Sequence, residues 1–283
     1  MTRSQRWALL ATAVILALVV FGSGGLRGGR LGDVRTDRYG AALDDIARLD
    51  ATISQGAGTL RVETIDSDRA YEATITHHAG IRIRADYSRG RLVISDDRGR
   101  VQGGRRITND WTVAITRRVP VDLTASTGAG RGTFDLTGLR GRARIRAGTG
   151  EVRVEFRDGP AQLEDLVLQA GAGRFEAVGL GNAHARRIEA RAGVGEFRLD
   201  FAGSAEGVTQ VEVQGGVGRI LVTAPEGLGI RVFARSGITS RLNLAGFTPH
   251  GDNEYVNAAW ETAPAKVEIR ASLGVGEFEV RGK

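Results

Sequence analysis

Few residue patterns in this chain could carry chemistry, and the most frequent of them is a glycine phrase. Gly-x-Gly followed by alternating apolar residues occurs at Gly56/Gly58, Gly128/Gly130, Gly148/Gly150, Gly171/Gly173, Gly193/Gly195, Gly216/Gly218 and Gly274/Gly276. Such a phrase binds phosphate when a strand precedes it and a helix follows, because amides at the helix N-terminus then meet the anion. Here each phrase runs into a strand pattern, as in Gly193-Val194-Gly195-Glu196-Phe197-Arg198-Leu199, so a phosphate site is not expected. A calcium-binding β-roll also repeats glycines, but it needs an aspartate in each repeat. Gly215-Gly216-Val217-Gly218-Arg219 carries Arg where that ligand would stand. The four histidines are His77, His78, His184 and His250. The first two are adjacent and would point to opposite faces of a strand, poorly placed to chelate one ion. All four are expected at the surface. No Gly-x-Ser-x-Gly nucleophile elbow occurs, and turn chemistry accounts for Asp66 and Asp68. A β-helical polysaccharidase would group acids on neighbouring repeats, and no acid cluster recurs outward at one repeat position. The expectation is therefore a non-enzyme with no catalytic, cofactor or metal site, and the sequence names no ligand-binding residue.

Charge is the other possible chemistry. The formal net charge is +6, carried by arginine, since Lys266 and Lys283 are the only lysines. Charges alternate with apolar positions, as in Glu151-x-Arg153-x-Glu155-x-Arg157 and Glu196-x-Arg198-x-Asp200. On strands these face outward, where opposite charges can pair across neighbours for roughly 0.2–1 kcal/mol each. The competing reading is a surface for an acidic polymer or anionic lipid. No basic stripe with interleaved aromatics appears, so nucleic acid is not an expected partner. The absence of cysteine excludes disulfides and an acylated lipoprotein cysteine.

The elements that hold these residues follow from the spacing. From Gly128 to Gly216 the phrases start 20, 23, 22 and 23 residues apart, a period that signifies stacked repeats. Apolar pairs precede each second glycine (Ile188/Ala190, Val211/Val213, Ile269/Ala271) and others follow it (Phe197/Leu199, Ile220/Val222, Phe278/Val280). Each pair has the period of two of a half-buried strand. The step between pairs is odd, so a straight strand would send them to opposite faces. The chain must turn or bulge at the glycines to place both in one core. The expected fold is all-β: a Gly-cornered β-solenoid or stacked β-sheet with a core of Val, Ile, Leu and Ala. The 41 glycines fall at corners and not in tracts, which argues against disorder.

Leu60-Arg61-Val62 after Gly-Ala-Gly, the stretch from Trp111 through Val119-Pro120-Val121-Asp122-Leu123, and the run to Gly274-Val275-Gly276-Glu277-Phe278-Glu279-Val280 resemble the bacterial toast-rack domains. These occur in LiaF-type envelope-stress regulators and adhesin-like β-strand-repeat proteins. The resemblance runs from about Leu49 to the C-terminus and implies a non-catalytic module with no catalytic residues to carry over. LiaF-type proteins usually have several membrane helices, whereas this chain has at most one.

Residues 7–21 are apolar apart from Thr12, and with the small residues up to 26 the run is just long enough to span a bilayer. Arg3 and Arg6 precede it, as in an anchor or a signal sequence, and Gly22-Ser23-Gly24 offers a cleavage site. Arg27, Arg30, Arg35 and Arg38 follow it, so charge alone does not fix orientation. The layout and the resemblance together lead us to expect export. Four regions are expected: 1–26, a transmembrane or signal segment; 27–48, a flexible stem, with a short helix or lead-in strand near 41–49; 49–127, an N-terminal β section; and 128–283, the Gly-x-Gly repeats, interrupted at 245–264 and closed by a last rung at 267–280. Pro120 should start a strand or lie at an edge, and 96–100 and 103–106 read as turns. Three functions fit: a membrane-tethered envelope module that binds a protein partner or ligand, a self-assembling adhesin-like element, and, behind these, a carbohydrate-active enzyme.

Overall fold

Period-two alternation of Val, Ile, Leu and Ala dictates strands, and strands make up most of the described residues. The computed structural model describes residues 33–98, 108–159 and 161–282. The apolar segment at 7–26 and the glycine-rich turn at 103–106 lie outside them. In chain order the strands are β1 (Val34–Ala42), β2 (Leu49–Ile65), β3 (Arg69–His78), β4 (Ile81–Ser88), β5 (Arg91–Arg98), β6 (Asn109–Thr116), β7 (Val121–Asp135) and β8 (Arg140–Glu155). There follow β9 (Gln162–Val178), β10 (Arg187–Asp200), β11 (Val208–Ala224), β12 (Gly229–Leu244), β13 (Phe247–Gly251), β14 (Glu254–Asn257) and β15 (Lys266–Gly282). Pro120 immediately precedes β7, as its missing N–H requires.

The strands that carry Gly-x-Gly stack in parallel and in register. Gly58, Gly130, Gly150, Gly173, Gly195, Gly218 and Gly276 form one row across them. The expected turn or bulge is a bend within a continuous strand. At Gly195 the backbone takes φ 129°, and the faces exchange there, so Ile188/Ala190 and Phe197/Leu199 are all buried. A Cβ at Gly195 would lie 2.1 Å from the carbonyl oxygen of Gly173, and one at Gly193 would lie 2.2 Å from that of Gly171. The corner needs glycine for its dihedral angle and for the closeness of the next backbone.

Each strand's two arms bury their apolar pairs toward one another, and the returns between strands add Leu136, Leu139, Phe156, Leu180 and Phe201. The rings of Phe175 and Phe197 stack with centroids 4.7 Å apart. A single hydrophobic cluster extends from Leu49 to Val280. The expected boundary at 127/128 falls inside β7, and the two sections share this core.

Three expectations need correction. Residues 34–42, within the stretch read as a stem, form β1, an edge strand antiparallel to β3. Its residues are exposed or half-buried, so no apolar period announced it. The turn placed at 96–100 begins too early, because β5 continues to Arg98. The last rung does not close the stack: the order is β10-β11-β15-β12-β14-β13, with β15 inserted between β11 and β12.

The insertion has two physical causes. Opposite Gly274 and Gly276, β12 lacks the glycine pair: Thr239 faces Val275, Ser240 faces Gly276, and one extra residue breaks the register between Ser236 and Thr239. A strand without the bare corner belongs at the end of the glycine row. The residue after the second glycine also alternates in charge through the stack, as Arg131, Glu151, Arg174, Glu196, Arg219, Glu277 and Arg241. Sequence order would set Arg219 beside Arg241, whereas placing β15 between them restores alternation.

Antiparallel strands extend the sheet beyond both ends of the stack, β14 pairing with only Arg231–Phe233 of β12. At one end β2 parts from a single neighbour into two, pairing its first arm with β5 and its second with β6. Side chains fill the gap at the corner: Gly56 N–H donates to Asp96 Oδ1 at 2.7 Å, and Asn109 Nδ2 donates to the Ala57 carbonyl at 2.8 Å. At the other end Asn257 accepts from Ile230 N–H and donates to the Leu228 carbonyl, both at 2.8 Å. The interruption at 245–264 is the β13–β14 hairpin that carries this asparagine.

Gly195→Val should therefore lower unfolding free energy by roughly 2–6 kcal/mol, adding dihedral strain to overpacking. Glu196→Val beside it should cost about 1 kcal/mol or less, the scale of exposed ion pairs. Because β15 is interior, and a Cβ at Gly276 would come 1.8 Å from the Gly218 oxygen, Gly276→Val should be as damaging as Gly195→Val. Denaturant unfolding of the three variants checks this. A wild-type midpoint for Gly195→Val would remove the corner from the account.

Candidate binding surface at the glycine corner

The corner presents three parallel rows to solvent. Two residues before the first glycine stands a polar row: Ser54, Ser126, Arg146, Gln169 and Arg191. The first glycines come next, bare of side chains. Between the two glycines the middle residues form a ridge in which Val194, Val217 and Val275 are adjacent and 54%, 51% and 47% exposed. The polar row and the first glycines bound an open trough of about 720 Å³ that crosses β2, β7, β8, β9 and β10 at right angles to the strands. A second hollow, of about 450 Å³, lies where the β13–β14 turn meets β11, β12 and β15, lined in part by Phe233, Arg270 and Asp252.

Outside the trough the charges pair laterally, as the alternation leads one to expect. Arg131 meets Glu151 at 3.1 Å, Arg174 meets Glu196 at 3.1 Å and Arg187 meets Glu212 at 3.1 Å. Arg153 binds both Glu155 and Glu176. Glu279 is the deepest of these acids, only 2% exposed, held by Arg219, Arg281 and Asn243. The Arg219 hydrogen bond, aided by Arg281 and opposed by burial, keeps its carboxyl below the usual range.

The histidines are not all at the surface. His77, on β3 between β1 and β6, is fully buried: Nδ1 lies 2.9 Å from the His78 carbonyl and Nε2 lies 3.0 Å from Asp37 Oδ2. The Asp37 carboxyl is held below its ordinary value, mainly by that hydrogen bond and, against burial, by the Arg35 charge as well. His77 thus fastens the edge strand β1. His78 is half-buried, His250 is exposed, and half-buried His184 contacts the Ser204 carbonyl. Among the described residues no three His, Asp or Glu side chains are grouped as a metal site, and no helix is long and apolar enough to cross a membrane.

The sequence reading missed Gln55 and Thr127. They occupy the position where the following repeats have Ala147, Ala170 and Ala192, and aligning the repeats would have exposed the change from polar to apolar. Both line the trough while being 1% and 2% exposed.

A parallel stack of glycine-bent strands, flanked by antiparallel strands and presenting an open corner, defines an all-β repeat scaffold. The chain belongs to the toast_rack family: the N-terminal domain of toast_rack, DUF2154, matches residues 31–177, just over half of the 283. That match crosses from the N-terminal section into the repeats. No curated protein matches the chain. Similar solved structures include a candidate cell adhesion protein from Clostridium sporogenes ATCC 15579, at 15% identity over 89% of this chain and 100% of that one, with a TM-score of 0.43. Another is a candidate adhesin from Bacteroides fragilis NCTC 9343, at 15% identity over 91% and 100%, with a TM-score of 0.32. A third is a candidate lipid binding protein from Parabacteroides distasonis ATCC 8503, at 13% identity over 88% and 97%, with a TM-score of 0.41. Likeness at this level says nothing of what the present chain binds.

Two outcomes are expected from the paired charges. Arg153→Ala and Arg198→Ala, on outward positions 44% and 42% exposed, should each change stability by about 0.5 kcal/mol or less. A loss above about 2 kcal/mol in chemical denaturation would mean inverted strand faces. For Glu279 the sign follows from its depressed carboxyl. Its contribution is present above the unfolded carboxylate range and is lost as pH falls through the folded value. Acid titration of stability should show Glu279→Gln less stable than wild type at neutral pH, with a smaller loss on acidification.

Proposed function

We propose that this chain is a non-catalytic binding module held outside the cytoplasm by residues 7–26, serving as a component of a cell-envelope stress response. The observation that carries the reading is the corner itself, an open surface with a polar trough beside an exposed valine ridge. Charged groups on the arms pair with their neighbours instead of converging on one point, which favours recognition over catalysis. The envelope role draws on membership of the toast_rack family and its resemblance to stress regulators. The exposed valines of the ridge favour a partner protein met at the corner.

Membrane fractionation tests the tether: the full-length chain should sediment with membranes and a chain starting at Asp33 should not. Full-length protein free of membranes would sink the anchor, and a mature N-terminus near Gly25 would replace it by a cleaved signal. Capture from detergent-solubilised membranes tests the partner. Val194→Asp/Val217→Asp should lose the wild-type captured protein at an unchanged unfolding midpoint, and undiminished capture would move the interface away from the ridge.

A further inference from the structure

The two arms of β12 end the stack differently. The first arm is covered in part, since β14 pairs with Arg231–Phe233. The second arm, Thr239 to Leu244, pairs with β15 in continuous register, and among the described residues no strand pairs with its outer edge. That edge leaves a row of backbone donors and acceptors open. Its side chains suit an interior strand. Leu242 stands beside Phe278 and Leu244 beside Val280. On β15, which has a strand on each side, both residues are buried, whereas Leu242 and Leu244 are only half-buried. Protected edges carry a proline, an inward charge or a bulge. The opposite end of the same sheet is of that kind: on β1, Asp37 shares the inward row with half-buried Tyr39 and Ala41. Thr239 to Leu244 has no proline and no break in register, and its one charge, Arg241, is exposed.

The charge row is a second, independent observation. It alternates from Arg131 through Glu151, Arg174, Glu196, Arg219 and Glu277, and ends on Arg241. Glu277, on the inner side of Arg241, lies 3.5 Å from Arg219. Arg241 has no ion-pair partner among the described residues, so the next place in the row calls for an acid. The open edges of this sheet do not supply one. The outward residues of β1 are Thr36, Arg38, Gly40 and Ala42, so a second copy added end to end would set no acid beside Arg241. A copy added through its own β12 would offer Arg241 and Asn243.

We propose that the outer edge of the second arm of β12 docks an extended segment of a partner protein in which acidic and apolar residues alternate. The segment pairs as one more strand, setting an acid beside Arg241 and apolar side chains beside Leu242 and Leu244. Backbone hydrogen bonds supply affinity in such strand addition, and the alternate side chains supply the choice of partner. Guanidinium–carboxylate pairing at Arg241 fixes the register. This edge is separate from the valine ridge at the corner and does not depend on it.

The probe is a fluorescent peptide with the sequence of residues 274–282, whose Glu277-Phe278-Glu279-Val280 pattern already pairs with the inner side of β12. Anisotropy with the full-length chain in detergent should show saturable binding, about threefold or more tighter than for the same peptide with lysine at both glutamates. Arg241→Glu should invert that preference, which an unfolded variant would not do. Arg144→Glu, the same charge change on the interior strand β8, should alter affinity less than about twofold. N-methylating one of the two alternating sets of peptide amides should weaken binding about tenfold, because that set forms the ladder. Absence of binding, wild-type affinity for both N-methylated forms, or an unchanged preference in Arg241→Glu would overturn the proposal. So would a concentration-dependent dimer in sedimentation that Arg241→Glu abolishes, which would give the edge to a second copy.

Discussion

The close approach of backbone to backbone at the corner governs this structure. Where Gly150 follows Gly130 in the stack, a Cβ would sit 1.9 Å from a carbonyl oxygen, and where Gly173 follows Gly150 it would sit 2.0 Å away. A displaced side chain elsewhere does not relieve such a contact, because the obstructing atom belongs to the next strand's hydrogen-bonded ladder. The strand either has no side chain there or leaves the stack. Glycine in a strand interior costs roughly 0.5–1 kcal/mol relative to Ala, and the bend compensates by turning two opposite-facing apolar pairs into one core.

Strand order follows from the same constraint. A row of bare corners can end only against something that is not another bare corner. At one end that is the carbonyl of Asn109, 2.0 Å from where a Cβ on Gly58 would lie. At the other it is the widened register of β12. β15 carries the bare corner, so it takes the place beside β11 although β12 precedes it in sequence. The alternating charge row selects the same arrangement, so steric and electrostatic terms agree on the interior position of β15.

What could be read from the sequence was what is local. Glycine spacing and apolar pairs identified the corners and the all-β class because they act within one strand. Alternating charges identified lateral pairing. β1 escaped notice because its apolar alternation is limited to the half-buried Tyr39 and Ala41, and Val34-Arg35-Thr36-Asp37-Arg38 reads as solvent-facing polar chain. His77 was misplaced because its burial comes from pairing with that unseen strand. The strand end at Arg98 was misjudged because Asp96, ordinarily a turn residue, completes the backbone of the neighbouring corner. The place of β15 was open to discovery in the charge row, but only by comparing repeats column by column. Gln55 and Thr127 required the same comparison, and nothing within their own repeats marks them.

The division of labour between columns bears on function. Glycine columns and inward apolar columns are fixed by sterics and burial, so they cannot vary to suit a ligand. The polar row and the ridge between the glycines face solvent from a floor that the fold already holds rigid. Side chains there can change from Ser to Arg to Gln, or from Ala to Val, without touching the core. A ligand crossing the strands would therefore meet one side chain per strand from each row, set at the strand spacing, on a surface that does not need to be ordered on binding. Specificity in such a scaffold is written in the order of residues down a column, and the columns of this chain change character midway. Serine occupies the polar row on β2 and β7 and arginine on β8, and exposed valine occupies the ridge on β10, β11 and β15.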